Sequence, residues 1–226
     1  KILPGADFWA GGPEVSYDAE KFLTENSEFK GVMVGEGEET FKELAGYYVE
    51  KNPQDLKDMT GICYRDKDRI IHNGWRQIMD LSSIPFIYKD LSEFKNRIIY
   101  YESSRGCPFS CSYCLSSVDK TVRFRSLELV KKELDAFLEA KVPQVKFVDR
   151  TFNCNRQRAI DIWSYLVEHD NGITNFHFEI SSDLLGEEEL ELFAKMRPGL
   201  IQLEIGVQST NGETVDAIHR HMDLDK

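Results

Sequence analysis

Several features are scarce in this chain of 226 residues, and each absence excludes a class of protein. Five cysteines are too few for a disulfide-stabilised scaffold. No apolar run approaches the roughly 18 residues that a membrane-spanning helix requires. Lys and Arg total 28 against 39 Asp and Glu, a formal charge of −11, so neither general nucleic-acid binding nor attachment to an anionic membrane is expected. Composition therefore predicts an acidic, soluble, intracellular protein.

The chain also lacks an initiator methionine and a signal peptide at Lys1, and residues 223–226 offer no element that would close a domain. Its length allows more than one structural unit, since single domains commonly hold about 100–200 residues. We therefore expect a fragment of a longer protein.

Strand and helix signals alternate in the amino-terminal part of the chain. Residues 6–10 and 31–34 are short apolar stretches typical of strands, and each is followed by a glycine-rich loop, the first of which contains Gly11 and Gly12. Residues 40–49 place apolar side chains at the spacing of one helix face. This order predicts an α/β domain.

The pattern then changes twice. A polar turn between two apolar stretches in residues 61–72 indicates a β-hairpin, and little periodicity follows it. We therefore predict three regions: an α/β domain over residues 1–60, a hairpin and linker over 61–96, and a second α/β domain over 97–226.

The second domain contains four successive strand-plus-helix units. Strand signals cover residues 97–103, 144–149, 175–181 and 200–207. Helix signals cover residues 126–140, 155–169 and 187–196, and a further helix begins near Gly212. Repeated units of this kind form parallel strands joined by right-handed crossovers.

Two of these strands alternate between polar and apolar residues, although parallel strands buried on both faces are usually continuous apolar runs. The polar positions are Asn175, His177, Glu179, Ser181 and Asp183 in the third strand and Gln202, Glu204, Gly206 and Gln208 at the fourth. A packed barrel interior prefers bulky branched residues, so a polar inner face predicts a lumen that holds water or a polar ligand. An antiparallel sheet with one solvated face is the alternative.

Three of the five cysteines, Cys107, Cys111 and Cys114, lie within eight residues after the first of these strands. Three thiolates on a short loop suit an iron–sulfur cluster, because its irons prefer soft ligands. Electron-transfer clusters are usually held by four cysteines, so three leave one iron open to a small-molecule ligand. A zinc site, which needs a fourth ligand, and unrelated free thiols are the alternatives, and Cys63 and Cys154 lie in other elements.

The Cys-x-x-x-Cys-x-x-Cys spacing, with Tyr113 before the last cysteine, resembles the cluster motif of radical S-adenosylmethionine (SAM) enzymes. The strand-and-helix order resembles their partial (β/α) barrel, of which about four of six strands are present. The resemblance implies that Cys107, Cys111 and Cys114 bind a [4Fe-4S] cluster and that SAM chelates the fourth iron. One electron from the cluster would then cleave SAM to methionine and a 5′-deoxyadenosyl radical.

The resemblance also implies cofactor contacts at particular positions. Tyr113 would lie against the adenine. Asp149 follows the second strand, where the family holds the methionyl amino group, although the usual Gly-Gly-Glu is absent. Glu179 and Ser181 are candidates for ribose contacts, and Gln208 is a further candidate cofactor contact.

The glycines of the amino-terminal part carry a second resemblance. Gly11 and Gly12, followed by Gly-Glu-Gly-Glu-Glu-Thr at residues 35–40, are similar to the last two strand ends of the flavodoxin-like, cobalamin-binding domain that precedes many radical SAM barrels. Only glycine lets the backbone approach the cobalamin nucleotide tail so closely. Residues 1–60 would then be the carboxyl-terminal part of such a domain, with any cobalt-ligating histidine motif upstream of Lys1.

These resemblances imply a radical SAM enzyme, an oxidoreductase or transferase, with cobalamin as a further cofactor. Methyl transfer and radical rearrangement are both open, and the substrate is not specified by the fold. A cluster of this kind implies a reducing cytoplasm and an electron donor such as flavodoxin or ferredoxin. The alternative from another class is an iron–sulfur electron-transfer or sensory module without catalysis of its own.

Overall fold

The computed structural model describes residues 5–50, 54–117, 120–220 and 222–223. It divides into two units, Lys1–Met79 and Asp80–Lys226. The division falls inside the segment predicted to be a hairpin and linker, because the two hairpin strands extend the sheet of the first unit. The expectation of a fragment rests on the two ends of the chain. The structure does not describe residues 1–4 and 224–226 there. Among the described residues, no helix combines the length and the apolar character that crossing a bilayer demands.

In its described residues, the first unit contains a four-stranded sheet in the spatial order β1-β2-β3-β4 and three α-helices. Its strands are β1 (Phe8–Gly11), β2 (Phe29–Met33), β3 (Ile62–Asp66) and β4 (Arg69–His72). Its helices are α1 (Pro13–Ser16), α2 (Ala19–Glu25) and α3 (Glu38–Val49). β1 and β2 are parallel, whereas β3 and β4 form an antiparallel hairpin that pairs with β2.

Gly31 in β2 is required by the packing of Trp9 on β1. A Cβ atom at Gly31 would lie 2.3 Å from the Trp9 ring. The indole is held in place because its Nε1 donates a hydrogen bond to the Tyr48 hydroxyl (2.8 Å), which in turn donates to Asp7 (2.8 Å). Burial is the largest contribution that raises the pKa of Tyr48 to about 12.

The second unit contains a four-stranded sheet in the order β10-β9-β8-β5, with all strands parallel. These strands are β5 (Ile99–Tyr101), β8 (Gln144–Phe147), β9 (Asn175–Ile180) and β10 (Ile201–Ile205), and β6 (Ser104–Arg105) with β7 (Arg123–Phe124) forms a separate antiparallel pair. The helices are α4 (Leu127–Glu139), α5 (Arg156–Glu168), α6 (Glu187–Phe193) and α7 (Gly212–Ala217). The predicted α/β class with parallel strands is confirmed, and the antiparallel alternative for these strands is wrong.

One face of this sheet forms the core of the second unit. Side chains of β8 and β9 alternate, so Val145, Phe147, Phe176 and Phe178 are fully buried and pack with apolar residues of α4 and α5. Both helices begin at a residue that caps them, since Ser126 accepts from Leu129 N and Asn155 accepts from Arg158 N. The opposite face of the sheet carries the polar residues that the sequence predicts.

Arg125, just before α4, forms a buried ion pair with Glu133 of that helix. Arg125 Nη2 lies 2.5 Å from Glu133 Oε1, and Tyr101 donates its hydroxyl to Glu133 Oε2 at 2.6 Å. Arg125 Nη1 also donates to the carbonyl oxygen of Leu81 (2.5 Å). The hydrogen bond with Glu133 raises the pKa of Arg125.

Replacing Gly31 with Ala should destabilise the protein by about 1–3 kcal/mol, because the new methyl group overlaps the Trp9 ring. The free energy of unfolding in urea measures this change. Gly46→Ala in α3 is the matched control, since an added Cβ there meets only the movable carboxylate of Glu50. An equal loss of stability in both variants would contradict the packing argument.

Arg125→Met should cost about 3–5 kcal/mol of unfolding free energy, because it leaves the buried Glu133 carboxylate without its counter-ion. The double variant Arg125→Met with Glu133→Leu should recover most of this loss, since it removes both charges together. A double variant as unstable as the single one, measured in urea, would show that the pair's charge is not the cause.

Candidate functional site

A cavity of about 250 Å³ in the second unit brings most of the predicted site residues together. Its lining includes the three motif cysteines together with Tyr113, Glu179, Ser181 and Gln208. These residues follow or end different parallel strands, and the carboxyl ends of such strands are where α/β folds carry their sites.

The backbone before the first cysteine adopts a conformation that requires glycine. Gly106 has a φ of 99°, and a Cβ atom there would lie 2.4 Å from the carbonyl oxygen of Thr121. Cys107 and Cys111 are buried and Cys114 is half-buried. The Cys107 Sγ lies 3.6 Å from Thr151 Oγ1, so the loop reaches the cavity wall at that point.

The segment after α7 holds the other end of the cysteine loop. The Ser112 amide donates to the carbonyl oxygen of Ile218 (2.9 Å). Arg220 donates to the carbonyl oxygen of Gly206 and, at 3.3 Å, to the Tyr113 hydroxyl. Arg220 lines the cavity, and its buried Nε has no hydrogen-bond partner among the described residues. Nothing in the local sequence signals this contact, because Arg220 and Tyr113 are 107 positions apart.

Asp149 follows β8, as the sequence predicts, and its side chain faces the protein interior. Its carboxylate is fully buried and does not line the cavity. It accepts hydrogen bonds from the Ser103 amide (2.8 Å), the Ser103 hydroxyl (2.7 Å) and the Ser104 hydroxyl (2.6 Å). Burial raises the pKa of Asp149, and these hydrogen bonds oppose the increase. The side chain therefore ties the end of β8 to the segment that leads into Cys107.

Ser181 and Gln208 present unusual local geometry at the ends of β9 and β10. Asn153 exchanges two hydrogen bonds with the Ser181 backbone, at 2.8 and 3.0 Å. The Ser181 hydroxyl donates to Asp183 (2.6 Å) and keeps its acceptor capacity. Gln208 has a φ of 58°, and backbone strain of this kind in a residue other than glycine is concentrated at functional sites.

Charged side chains from three strands meet on the polar face. Lys146 Nζ lies 2.9 Å from Glu204 Oε2 and 3.5 Å from Glu179 Oε1. The hydrogen bond to Glu204 raises the pKa of Lys146 and lowers that of Glu204. Glu179 and Glu204 both line the cavity, so the predicted polar lumen is confirmed at this wall.

The first unit places its glycines in two adjoining loops. Ser16 connects them, because its hydroxyl donates to the carbonyl oxygen of Gly12 (2.7 Å) and accepts from the Gly35 amide (3.2 Å). Gly12 has a φ of 100°, and a Cβ atom there would meet nothing within 4 Å. A Cβ atom at Gly11, in contrast, would lie 3.2 Å from the Met33 side chain. Space is therefore free beside the Cα atom of Gly12, and Gly11 is exposed on the surface of this unit.

The donor set of the cysteine loop suits a cluster better than a single ion. Among the side chains that the structure describes, no three His, Cys, Asp or Glu converge on one point. Three thiols spread along one cavity wall match a ligand set in which each thiolate binds a different iron. The fourth iron of such a cluster would face a cavity lined by hydrogen-bonding groups.

Comparison with known proteins places these features in a family. The model of the radical SAM superfamily matches residues 101–226. An uncharacterized methyltransferase of Pyrococcus horikoshii is 34% identical over 162 residues, which cover 67% of this chain and 35% of that protein. The hopanoid C-2 methylase of Rhodopseudomonas palustris is 24% identical over 155 residues, covering 63% and 28%.

Solved structures show the same fold at low sequence identity. TsrM of Kitasatospora setae, a radical SAM methyltransferase determined with tryptophan and a SAM analogue, superimposes with a TM-score of 0.71 at 16% identity, over 97% of this chain and 46% of that one. The cobalamin-dependent SAM radical enzyme OxsB gives a TM-score of 0.73 at 23% identity, over 96% and 33%.

This chain thus spans about a third of the length of its curated relatives, 35% and 28% in these two cases. The family match covers more than half of the chain and includes the whole cysteine motif. The chain belongs to the radical SAM superfamily.

Proposed function

We propose that this protein is a radical SAM enzyme that transfers methyl groups, with a [4Fe-4S] cluster, SAM and cobalamin as its cofactors. The observation that carries the proposal is the single cavity in which all three motif cysteines meet Tyr113, Glu179, Ser181 and Gln208. Three cysteines rather than four leave one iron for SAM, so the alternative of a pure electron-transfer module has no support in this ligand set.

The residues of this cavity divide into distinct roles in the proposal. Cys107, Cys111 and Cys114 hold the cluster, and Tyr113, whose ring is half-exposed, contacts the adenine. The acceptor groups of Glu179 and Ser181 bind the ribose hydroxyls, and Gln208 contacts the cofactor from the end of β10. When bound, the cluster supplies the electron that cleaves SAM to methionine and a 5′-deoxyadenosyl radical.

Arg220 adds a contact that the sequence does not predict. SAM carries a carboxylate on its methionyl part, and a guanidinium forms charge-assisted hydrogen bonds with such a group. Arg220 lines the cavity beside the cysteine loop, and its Nε has no hydrogen-bond partner among the described residues, so we assign this residue to the SAM carboxylate. Asp149 is a positioning residue in this scheme, because it holds the loop and not the cofactor.

Cobalamin is assigned to the first unit, which we propose to be the carboxyl-terminal part of a cobalamin-binding domain. Gly12 and Gly35 both have positive φ values and are joined through Ser16. Gly35 is exposed and space is free beside the Cα atom of Gly12, so we assign the nucleotide tail to these loops. The structural neighbours TsrM and OxsB, which are cobalamin proteins, support this assignment.

Methyl transfer is favoured over rearrangement by the relatives, which include proteins named as a methyltransferase and a methylase. We propose that an electron donor of the flavodoxin or ferredoxin type reduces the cluster. We also propose that the protein acts in a reducing cytoplasm, where thiolates and the cluster persist.

Anaerobic reconstitution should load about four irons and four sulfides per chain, as the cluster formula requires. Replacing Cys107, Cys111 or Cys114 with Ala should remove most of this iron, because each thiolate binds a different iron. Iron and sulfide analysis measures the outcome. Cys63→Ala is the matched control, since Cys63 is buried in β3 of the first unit. Wild-type iron content in all three motif variants would refute the cluster assignment.

SAM should change the electron paramagnetic resonance spectrum of the reduced cluster, because it binds the open iron. Arg220→Gln should need an about tenfold higher SAM concentration for the same spectral change, because it loses a charge-assisted contact. Arg220→Lys should weaken it less, and Arg69→Gln, at an exposed position in the first unit, should not alter it. If SAM leaves the spectrum of the wild-type protein unchanged, the electron-transfer module is favoured. If Arg220→Gln binds SAM as tightly as the wild type does, Arg220 is not part of the SAM site.

A further inference from the structure

The polar face of the second unit extends beyond the cofactor cavity. We call it the polar strip, and it consists of Gln144, Lys146, Asn175, His177, Glu179, Gln202 and Glu204. The strand register arranges it in three rows: Glu179 beside Glu204, then Lys146 beside His177 and Gln202, then Gln144 beside Asn175. Only the first row lines the cavity, so the other rows lead along the sheet away from it.

The first two rows hold more hydrogen-bonding capacity than they use. Lys146 contacts Oε2 of Glu204 and Oε1 of Glu179, and the other oxygen of each carboxylate has no hydrogen-bond partner among the described residues. His177 Nε2 is buried and lies 3.1 Å from Glu204 Oε2, so this oxygen faces His177 as well as Lys146. The Glu204 side chain is 54% exposed and therefore accessible to a ligand.

The composition of the polar strip excludes an apolar ligand. Covering a carboxylate and a lysine with hydrocarbon removes their hydration without replacing it, which is costly for charged groups. A ligand that brings its own hydrogen-bond donors avoids this loss. One lysine stands against two carboxylates in these rows, so the strip has one negative charge in excess and favours a cation.

We propose that the polar strip recognises the methyl acceptor and that this substrate presents a protonated amine to Glu204. The inference rests on the proposed function, because it takes the adjoining cavity as the SAM site. The opposing possibility is an anionic substrate held by Arg150 and Arg220, which also line the cavity. Arg220 is assigned to the SAM carboxylate and Arg150 lies outside the polar strip, which leaves Glu204 as the exposed carboxylate where the strip meets the cavity.

Three probes with the same indole ring separate these possibilities. Tryptamine carries an ammonium group, tryptophol a hydroxyl and indole-3-propionate a carboxylate. Each is added to the reconstituted, reduced and SAM-loaded protein, and the paramagnetic broadening of its proton resonances reports binding near the cluster. We expect tryptamine to be broadened most, with an affinity at least about tenfold above that of indole-3-propionate, because only the ammonium pairs with a carboxylate.

Glu204→Gln should abolish the preference for tryptamine, since it removes the charge but keeps the size of the side chain. Glu191→Gln is the matched control, because Glu191 is an exposed carboxylate on α6 outside the polar strip. Iron content and far-ultraviolet circular dichroism establish that both variants are folded and loaded.

The outcomes distinguish this inference from the proposed function. Suppose first that SAM changes the cluster spectrum, so that the SAM site stands. The amine assignment is then overturned if the tryptamine resonances are broadened no more than those of the other probes, or not at all. It is also overturned if tryptamine keeps its advantage in Glu204→Gln. Preferential broadening of indole-3-propionate would assign the substrate to the arginines instead. If SAM leaves the cluster spectrum unchanged, the proposed function itself fails.

Discussion

The candidate site depends on how the cysteine loop is attached to the sheet. The buried Asp149 carboxylate accepts three hydrogen bonds from Ser103 and Ser104, just before the loop begins. Breaking any of these hydrogen bonds would leave a buried carboxylate oxygen without a partner, which is costly in an apolar environment. The attachment is therefore rigid. The backbone of Ile218 and the side chain of Arg220 secure the far side of the loop. These contacts hold the loop that presents three thiols to the cavity.

The charges around the cavity are arranged by the strand register. Arg150 and Arg220 line it with the cysteines, where thiolates and the SAM carboxylate would bring negative charge. Glu179 and Glu204 occupy neighbouring strands at the same level, and Lys146 links them from the row behind. Because parallel strands project alternate side chains to one face, the same alternation builds the aromatic core on one side and the polar strip on the other.

Local patterns in the sequence predict those structural features that depend on residues close together in the chain. The alternation in β9 and β10 and the helices α4 and α5 appear in the structure as predicted, because each depends on neighbouring residues. Long-range contacts are not readable in this way. The contact of Arg220 with Tyr113 forms only in the folded chain, and so does the pairing of β3 with β2 that joins the hairpin to the sheet of the first unit. Asp149 is in the predicted place, but its partners could not be known before the loop was folded.

The central claim is that SAM binds directly to the open iron of a cluster that Cys107, Cys111 and Cys114 hold. The most direct measurement is electron–nuclear double resonance on the reduced, reconstituted protein with SAM labelled by magnetic isotopes at its amino nitrogen and carboxylate oxygens. We predict hyperfine coupling from both labelled groups, because both would chelate the open iron. A protein that retains its cluster but shows no coupling from either group would contradict the account.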